Sequence, residues 1–400
     1  MSEEYSLNLA FSKADLDEKE KEAIENKVKD LEAPYFSEYT PDLKAILEIA
    51  KKYQNKKNII VEGNGGSIST MRAFWSCFGS DTGKNVFILD TDDPDYIAEI
   101  KSRCPIEDTL LIIVSKSGNS VQTISDYLLL SEYETLFVTS ESGTLREIGK
   151  TNNIDMAKHP EISGRFSGIT ESALIPAAVA GIDIKNISKG AKEMYEKCAS
   201  QKSFSENPAL QFAAHLDKLE KMGYTDIFLS LYSKKLSGFF ELIIQLFHES
   251  VCKEGKGQTF YGGEAPENQH HTLQRFNSGR KNSVGVFITV ENFQNDSYFT
   301  AAENIRNIEC RGVAIEKLEK KSMQDIIHIE FKGTWKDTTE QGIPAIHIKL
   351  KEVSPATAGA LTAFFQYTAY YSAILRDVNP FDQPGVEKSK EYIFKLIKEK

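Results

Sequence analysis

Short apolar, β-branched runs alternate with stretches of helical period along most of the chain. In the first half the runs fall at residues 58–62, 86–90, 110–114 and 134–139, each separated from the next by enough residues for a crossover helix. That alternation predicts α/β architecture with a largely parallel sheet. A second series repeats the plan, with strands expected at 226–231, 283–290, 326–331 and 345–350. It closes with an alanine-rich helix over 355–375 and a final helix over 386–398. A charged opening stretch, 15–29, reads as a solvated helix, and the polar segment 185–208 as a helix running into a hinge. The chain therefore divides into two α/β units, 1–205 and 206–400. Its 400 residues also exceed what one compact core usually holds.

Composition narrows the class. Hydrophobic residues make up 40% and charged residues 26%, as in soluble globular proteins. Lysine and arginine number 48 against 58 acidic residues, a net charge of −10, which disfavours general binding to nucleic acid or anionic membrane. No apolar run approaches the roughly 20 residues of a membrane span. The first 22 residues lack the basic-then-apolar pattern of a secretion signal. The five cysteines are scattered without a Cys-x-x-Cys pair, so the expected compartment is the cytoplasm.

Candidate chemistry sits where strands meet helices. Gly63-Asn64-Gly65-Gly66-Ser67 opens a helix, and its glycines either admit a ligand to the backbone or simply make a tight turn. Ile68 stands where a dinucleotide fingerprint needs glycine, and no Gly-Lys-Ser/Thr occurs. The run 110–114 empties into Ser115-Lys116-Ser117-Gly118-Asn119-Ser120-Val121-Gln122-Thr123. Four hydroxyls, a lysine and free helix amides suit a phosphate monoester held without metal. The alternative is a helix cap with spare serines, Asn119 or Ser120 serving as the cap.

Four further features carry possible chemistry. Arg165 lies beside Gly164 ahead of the apolar stretch 173–180, either as an anion's partner or as a surface group. Gln245 and Glu249 interrupt an almost wholly apolar helix, 237–252, and share one face. A carboxylate there suits a general base, unless it only pairs with Lys253 four residues on. His270 and His271 are adjacent, so they point apart; one as a proton shuttle fits better than both on a metal. No His-x-His or His-x-x-x-His spacing occurs, and neither metal nor other cofactor is expected. Lys390 falls on the apolar stripe of the last helix with Val386, Ile393 and Ile397. It is expected to point inward to an anion or polar site, the alternative being a lysine that snorkels to water.

In this order the motifs resemble the phosphoglucose isomerase family. They are Gly63-x-Gly-Gly-Ser67, Ser115-Lys-Ser-x-x-Ser120-x-x-Thr123, Ser163-Gly-Arg-Phe-Ser167, Gln245-x-x-x-Glu249-Ser-x-x-Lys253, Gln269-His270 and Phe381-Asp-Gln-x-Gly-Val-Glu-x-x-Lys390. The resemblance implies two sugar-isomerase (SIS) domains, each an α/β/α sandwich with a mainly parallel central sheet. It implies interconversion of glucose 6-phosphate and fructose 6-phosphate through a cis-enediol(ate). Glu249 would be the base and Arg165 the cation facing the enediolate; His270 would open the ring with help from Lys390. Gly65, Gly66, Ser67, Ser115, Lys116, Ser117, Ser120, Thr123, Gly164, Gln245 and Gln383 would bind substrate. A homodimer is implied in which His270 reaches the neighbouring subunit's site. Asn64, Ser389 and the doubled histidine depart from the family pattern. Two other readings are a dual phosphoglucose/phosphomannose isomerase and a non-catalytic SIS module that binds sugar phosphates. Gln383 stands where the dual enzymes resembled here carry threonine, and a mere binding module would need neither Glu249 nor an inward Lys390.

Overall fold

The computed structural model describes residues 7–13 and 15–399. The strands, in chain order, are β1 (Leu7–Ser12), β2 (Asn58–Gly63), β3 (Asn85–Leu89), β4 (Thr109–Ser115), β5 (Glu134–Thr139), β6 (Asp155–Lys158), β7 (Asp226–Tyr232), β8 (Thr259–Glu264), β9 (Ser283–Val290), β10 (Glu309–Cys310), β11 (Val313–Ala314) and β12 (Ala345–Leu350). They form two five-stranded sheets, ordered β3-β2-β4-β5-β6 and β1-β12-β9-β7-β8, and a small β10–β11 hairpin. The first sheet is wholly parallel. The second is parallel except for the edge strand β1, which runs antiparallel to β12.

Strand alternation sorts the cores. Ile59 and Val61 of β2, with Leu110, Ile112 and Val114 of β4, face a large core that also takes Ile227, Leu229, Val286 and Ile288 of the second sheet. The opposite faces carry Ile60, Leu111 and Ile113 into one smaller core, and Phe228 and Phe287 into another. Each sheet is thus buried on both faces, as parallel sheets require. The helix Pro355–Leu375 runs through the shared core and is buried along almost its whole length. It meets the helix Ile184–Lys197 at paired glycines: a Cβ on Gly190 would lie 1.9 Å from the carbonyl of Ala356, and one on Gly359 equally close to that of Ile187. The connection after that helix, read as a hinge, is tied down by Asn207, whose side-chain amide donates to the carbonyls of Cys198 and Ala199.

One predicted strand is overturned. Residues 326–331 lie inside the 18-residue helix Met323–Glu340. Their β-branched run reads as strand locally. A Ser322–Asp325 capping box starts a helix, however, and Ile327, Phe331 and Trp335, four residues apart, pack together on the Phe228–Phe287 core. β1, β6, β8 and the hairpin β10–β11 lie outside the expected strands. β8 carries two glycines, and Gly262 (φ +125°) lies so close to the carbonyl of Leu229 that a Cβ would sit 2.1 Å away. No helix among the described residues is long and apolar enough to cross a membrane.

Candidate active site

Sheet topology places the loops. β2 and β4 are parallel neighbours, with β3 on the far side of β2, so strand order reverses between them. The loops leaving their carboxyl ends are Gly63–Ser67 and the segment 115–120. A crevice at such a reversal is where ligands bind in open α/β sheets. Gly66 cannot carry a side chain, because a Cβ would lie 2.1 Å from the backbone nitrogen of Arg165. Gly65, at φ +54°, is exposed, and a Cβ there would meet Nε2 of Gln245 at 2.8 Å. The glycines therefore serve a close approach of three segments: their own loop, Gly164–Arg165, and the helix Phe239–Val251.

Arg165 is fully buried and held on four sides. Nε donates to Ser250 Oγ at 2.8 Å, and Nη2 donates to the carbonyls of Pro380 (2.6 Å) and Asp382 (3.0 Å). Nη1 donates to Glu249 Oε2 at 3.1 Å. Of the five N–H groups of a guanidinium this leaves one, on Nη1, without a partner among the described residues. Burial lowers the pKa of Arg165 and the Glu249 charge offsets that, so the group stays a fixed cation.

Glu249 is oriented by three donors. Oε1 accepts from Gln245 Nε2 at 2.8 Å, and Oε2 accepts from Arg165 and from Gln383 Nε2. The alternative pairing with Lys253 does not form: Lys253 bonds Asp382 at 2.7 Å and the carbonyl of Asn379. Lys253 thereby holds the 379–383 segment whose carbonyls and Gln383 complete the cluster. Gln245 Oε1 is buried without a hydrogen-bond partner, an acceptor left for something else.

The segment 115–123 is a built loop. Gly118 N donates to Ser115 Oγ at 3.2 Å, and Gly118 itself adopts φ +61°. Ser120 is the cap of the helix Val121–Leu130, while Asn119 Oδ1 instead accepts from Thr144 N, which opens the next helix. Ser117 is exposed, and Lys116 reaches Glu161 at 3.3 Å. Thr123 is buried, with its hydroxyl turned to Ser120 and Glu62.

Two expected site residues stand apart. His270 is exposed, and no hydrogen bond or ion pair joins it to Glu249 among the described residues; its segment is anchored by Gln269 Nε2 on Tyr232 Oη and Thr334 Oγ1. The inward placement of Lys390 is also corrected. The helix Pro384–Lys398 has no buried residue, and Lys390 is 57% exposed and bonded to Glu387 at 2.9 Å. Its stripe mates Val386, Ile393 and Ile397 are exposed too, because no other element among the described residues covers them. Among the described residues no three His, Cys, Asp or Glu side chains are placed to share a metal ion.

Sequence reasoning missed Glu62. It is fully buried near the end of β2, directly after the apolar run Ile59, Ile60 and Val61. A carboxylate in a strand covered on both faces was the available signal.

The sequence pattern of the phosphoglucose isomerase family matches residues 48–400. The chain is 28% identical over 364 residues to the glucose-6-phosphate isomerase of Methanocaldococcus jannaschii, covering 88% of this chain and 87% of that protein. It is also 28% identical over 373 residues to the glucose-6-phosphate isomerase of Staphylococcus saprophyticus, covering 88% and 83%. Its fold superposes on a glucose-6-phosphate isomerase from Chlamydia trachomatis with a TM-score of 0.81 at 17% identity, over 100% of this chain and 89% of that one. A hypothetical protein from Thermus thermophilus gives 0.84 at 23% identity, over 95% and 94%. With the family pattern spanning the chain from residue 48 onward, this protein belongs to the phosphoglucose isomerase family.

Proposed function

We propose that the chain is an aldose–ketose isomerase that interconverts glucose 6-phosphate and fructose 6-phosphate. The observation that carries this reading is the Glu249 carboxylate, fixed by Gln245, Arg165 and Gln383 yet 29% exposed. A base for a carbon-bound proton must be held in place and still reach its substrate. In the forward direction Glu249 takes the proton from C2 as the C1 oxygen gains one, giving the cis-enediol(ate). It returns the proton to C1 as the C2 oxygen loses its own, so no electron leaves the substrate. Negative charge on the enediolate oxygens faces the fixed cation of Arg165, buried directly behind Glu249, which acts through its charge and needs no rearrangement. Gln245 Oε1 accepts a sugar hydroxyl. The hydroxyls and amides of Ser115, Ser117 and Ser120, with Lys116, hold the phosphate far from the reacting carbons.

Ring opening falls to His270, assisted by Lys390, and His270 comes to the site from a second copy in a homodimer of chains that each fold as two SIS domains, divided near residue 205. In support, His270 and Lys390 are exposed, and the last helix presents Val386, Ile393, Phe394 and Ile397 uncovered. Five unbridged cysteines suit a reducing, cytoplasmic setting. A coupled assay of glucose 6-phosphate against fructose 6-phosphate tests the reaction. Turnover in both directions, unchanged by EDTA, is expected; no turnover, or activity lost on chelation and restored by a divalent metal, overturns it.

A further inference from the structure

Glu62 is a carboxyl group that the chemistry above does not use. It lies at the crevice end of β2, fully buried, beside Leu89 and Ile113 in the strand register. Its Oε1 lies 3.1 Å from Thr123 Oγ1, which lies 2.6 Å from Ser120 Oγ. Ser120 Oγ also accepts from Thr123 N at 3.3 Å. Oε2 of Glu62 has no partner among the described residues, and neither does either carboxyl oxygen of Asp126, one turn beyond Thr123.

We infer that Glu62 is a positioning residue whose carboxyl proton sets the direction of the hydroxyl chain Glu62–Thr123–Ser120, and so decides whether Ser120 can donate to a bound phosphate. The inference rests on reading 115–123 as the phosphate loop. Each hydroxyl has one proton and two lone pairs. When Glu62 is ionised it can only accept: Thr123 donates to it, Ser120 donates to Thr123, and the single Ser120 proton is spent inside the protein. When Glu62 is protonated the chain reverses. Glu62 donates to Thr123, Thr123 donates to Ser120, and Ser120, already accepting from Thr123 N, turns its proton outward. No bond to carbon is made or broken; one proton is taken from solvent.

The surroundings favour the protonated form. Burial first, then the charge of Asp126, pushes Glu62 up to about 8, against the weaker opposing pull of the Thr123 hydrogen bond; Asp92 adds in the same sense. Asp126 comes from the helix Val121–Leu130 and Asp92 from the segment after β3, and both are acidic; Leu89 and Ile113 are apolar. Asp126 is itself pushed up to about 6 by burial and by Asp92, so it ionises first and helps hold the proton on Glu62. A phosphate dianion arriving at Ser120 strengthens that hold.

The test measures binding of 6-phosphogluconate, a linear sugar-acid phosphate, by titration calorimetry from pH 6 to pH 9.5 in buffers of different ionisation enthalpy. Above about pH 7 the second phosphate ionisation, near 6, is complete, so proton exchange there reports the protein. Wild type is expected to take up close to one proton per site above pH 8, with Kd rising about tenfold per pH unit. Glu62→Gln, which has no carboxyl proton to exchange whichever end of its amide faces Thr123, is expected to bind with no proton uptake and a flat profile. Thr123→Val leaves the carboxyl but cuts the chain, freeing the Ser120 proton at every pH, so its Kd is expected to be flat as well. Wild-type binding without proton uptake overturns the inference. So does a rise retained in Thr123→Val, which would make the effect a through-space charge. Absence of binding at every pH overturns the phosphate-loop reading itself, and the relay with it.

Discussion

Arg165 and Glu249 form a one-sided pair: Nη1 lies 3.1 Å from Oε2, the guanidinium side chain is 0% exposed, and the carboxylate is 29% exposed. The cation is locked from behind by Ser250 and two carbonyls, while the anion looks into the crevice. Such a pair is not arranged for stability, since a buried charge costs about as much to desolvate as its partner returns. One member is held immobile while the other stays accessible, as the proposed base must be.

Glu249→Gln is therefore expected to lower kcat by about 10²- to 10⁴-fold or more while leaving the affinity for 6-phosphogluconate near wild type. The amide keeps the shape and can still accept from Arg165, but it cannot take a proton from carbon. Steady-state turnover and inhibitor Ki, measured on the same preparation, check it. Near wild-type turnover would move the base elsewhere.

Gly66→Ala tests whether the glycine loop is a structural weld. Its Cβ would lie 2.1 Å from Arg165 N and 2.2 Å from the carbonyl carbon of Gly164, and both are backbone atoms that cannot swing aside. Overpacking of this kind costs about 1–3 kcal/mol. The expected result is lower stability in urea together with a fall in kcat, because Arg165 and Glu249 move when that contact opens. A variant as stable and as active as wild type would show that the loop has slack.

Most of the layout was legible because it is periodic. Seven of the eight expected strands appear within a residue or so of their predicted ends, and Ser120, one of the two capping candidates, caps its helix. What failed did so for identifiable reasons. Residues 326–331 carry strand-like side chains, but the cap at Ser322 and the four-residue spacing of Ile327, Phe331 and Trp335 override local propensity. Lys390 shares a stripe with Val386, Ile393 and Ile397, yet a stripe reports only that something covers it, not that the same chain does. Glu62 was hidden because a lone acid at a strand end looks like the start of a loop. Its hydrogen-bond partner, Thr123, lies 61 residues away.

The uncovered last helix and the remote His270 make the shared site testable. Chains carrying Glu249→Gln and chains carrying His270→Ala are each expected to be nearly inactive alone. Mixed under conditions that exchange subunits, they should recover a fraction of wild-type activity, because one of the two sites in a heterodimer draws both intact residues. Native mass spectrometry establishes the exchange. A mixture that exchanges yet stays inactive sinks the shared site. Ile393→Asp, which charges the exposed stripe, is expected to shift the elution volume in size-exclusion chromatography toward monomer.

Glu62 also predicts how stability varies with pH. An unfolded glutamate loses its proton above about 4.5, whereas the folded one keeps it until about 8. Between those values the folded state binds one proton more than the unfolded state, so this group makes stability fall as pH rises, and above about 8 its cost is complete. The slope is about 1.4 kcal/mol per pH unit for one fully coupled group. Asp126, raised to about 6, contributes with the same sign over a lower and narrower window. It is present in both proteins when wild type is compared with Glu62→Gln, so it drops out to first order. Glu62→Gln keeps a donor for Thr123 and has no proton to lose. Its stability relative to wild type, from urea unfolding, is therefore expected to rise steadily from pH 5 to pH 8 and then level off. A difference that stays constant across that range would mean the carboxyl is ionised in the folded protein, and its burial must then be compensated by a cation or ordered water at the free Oε2.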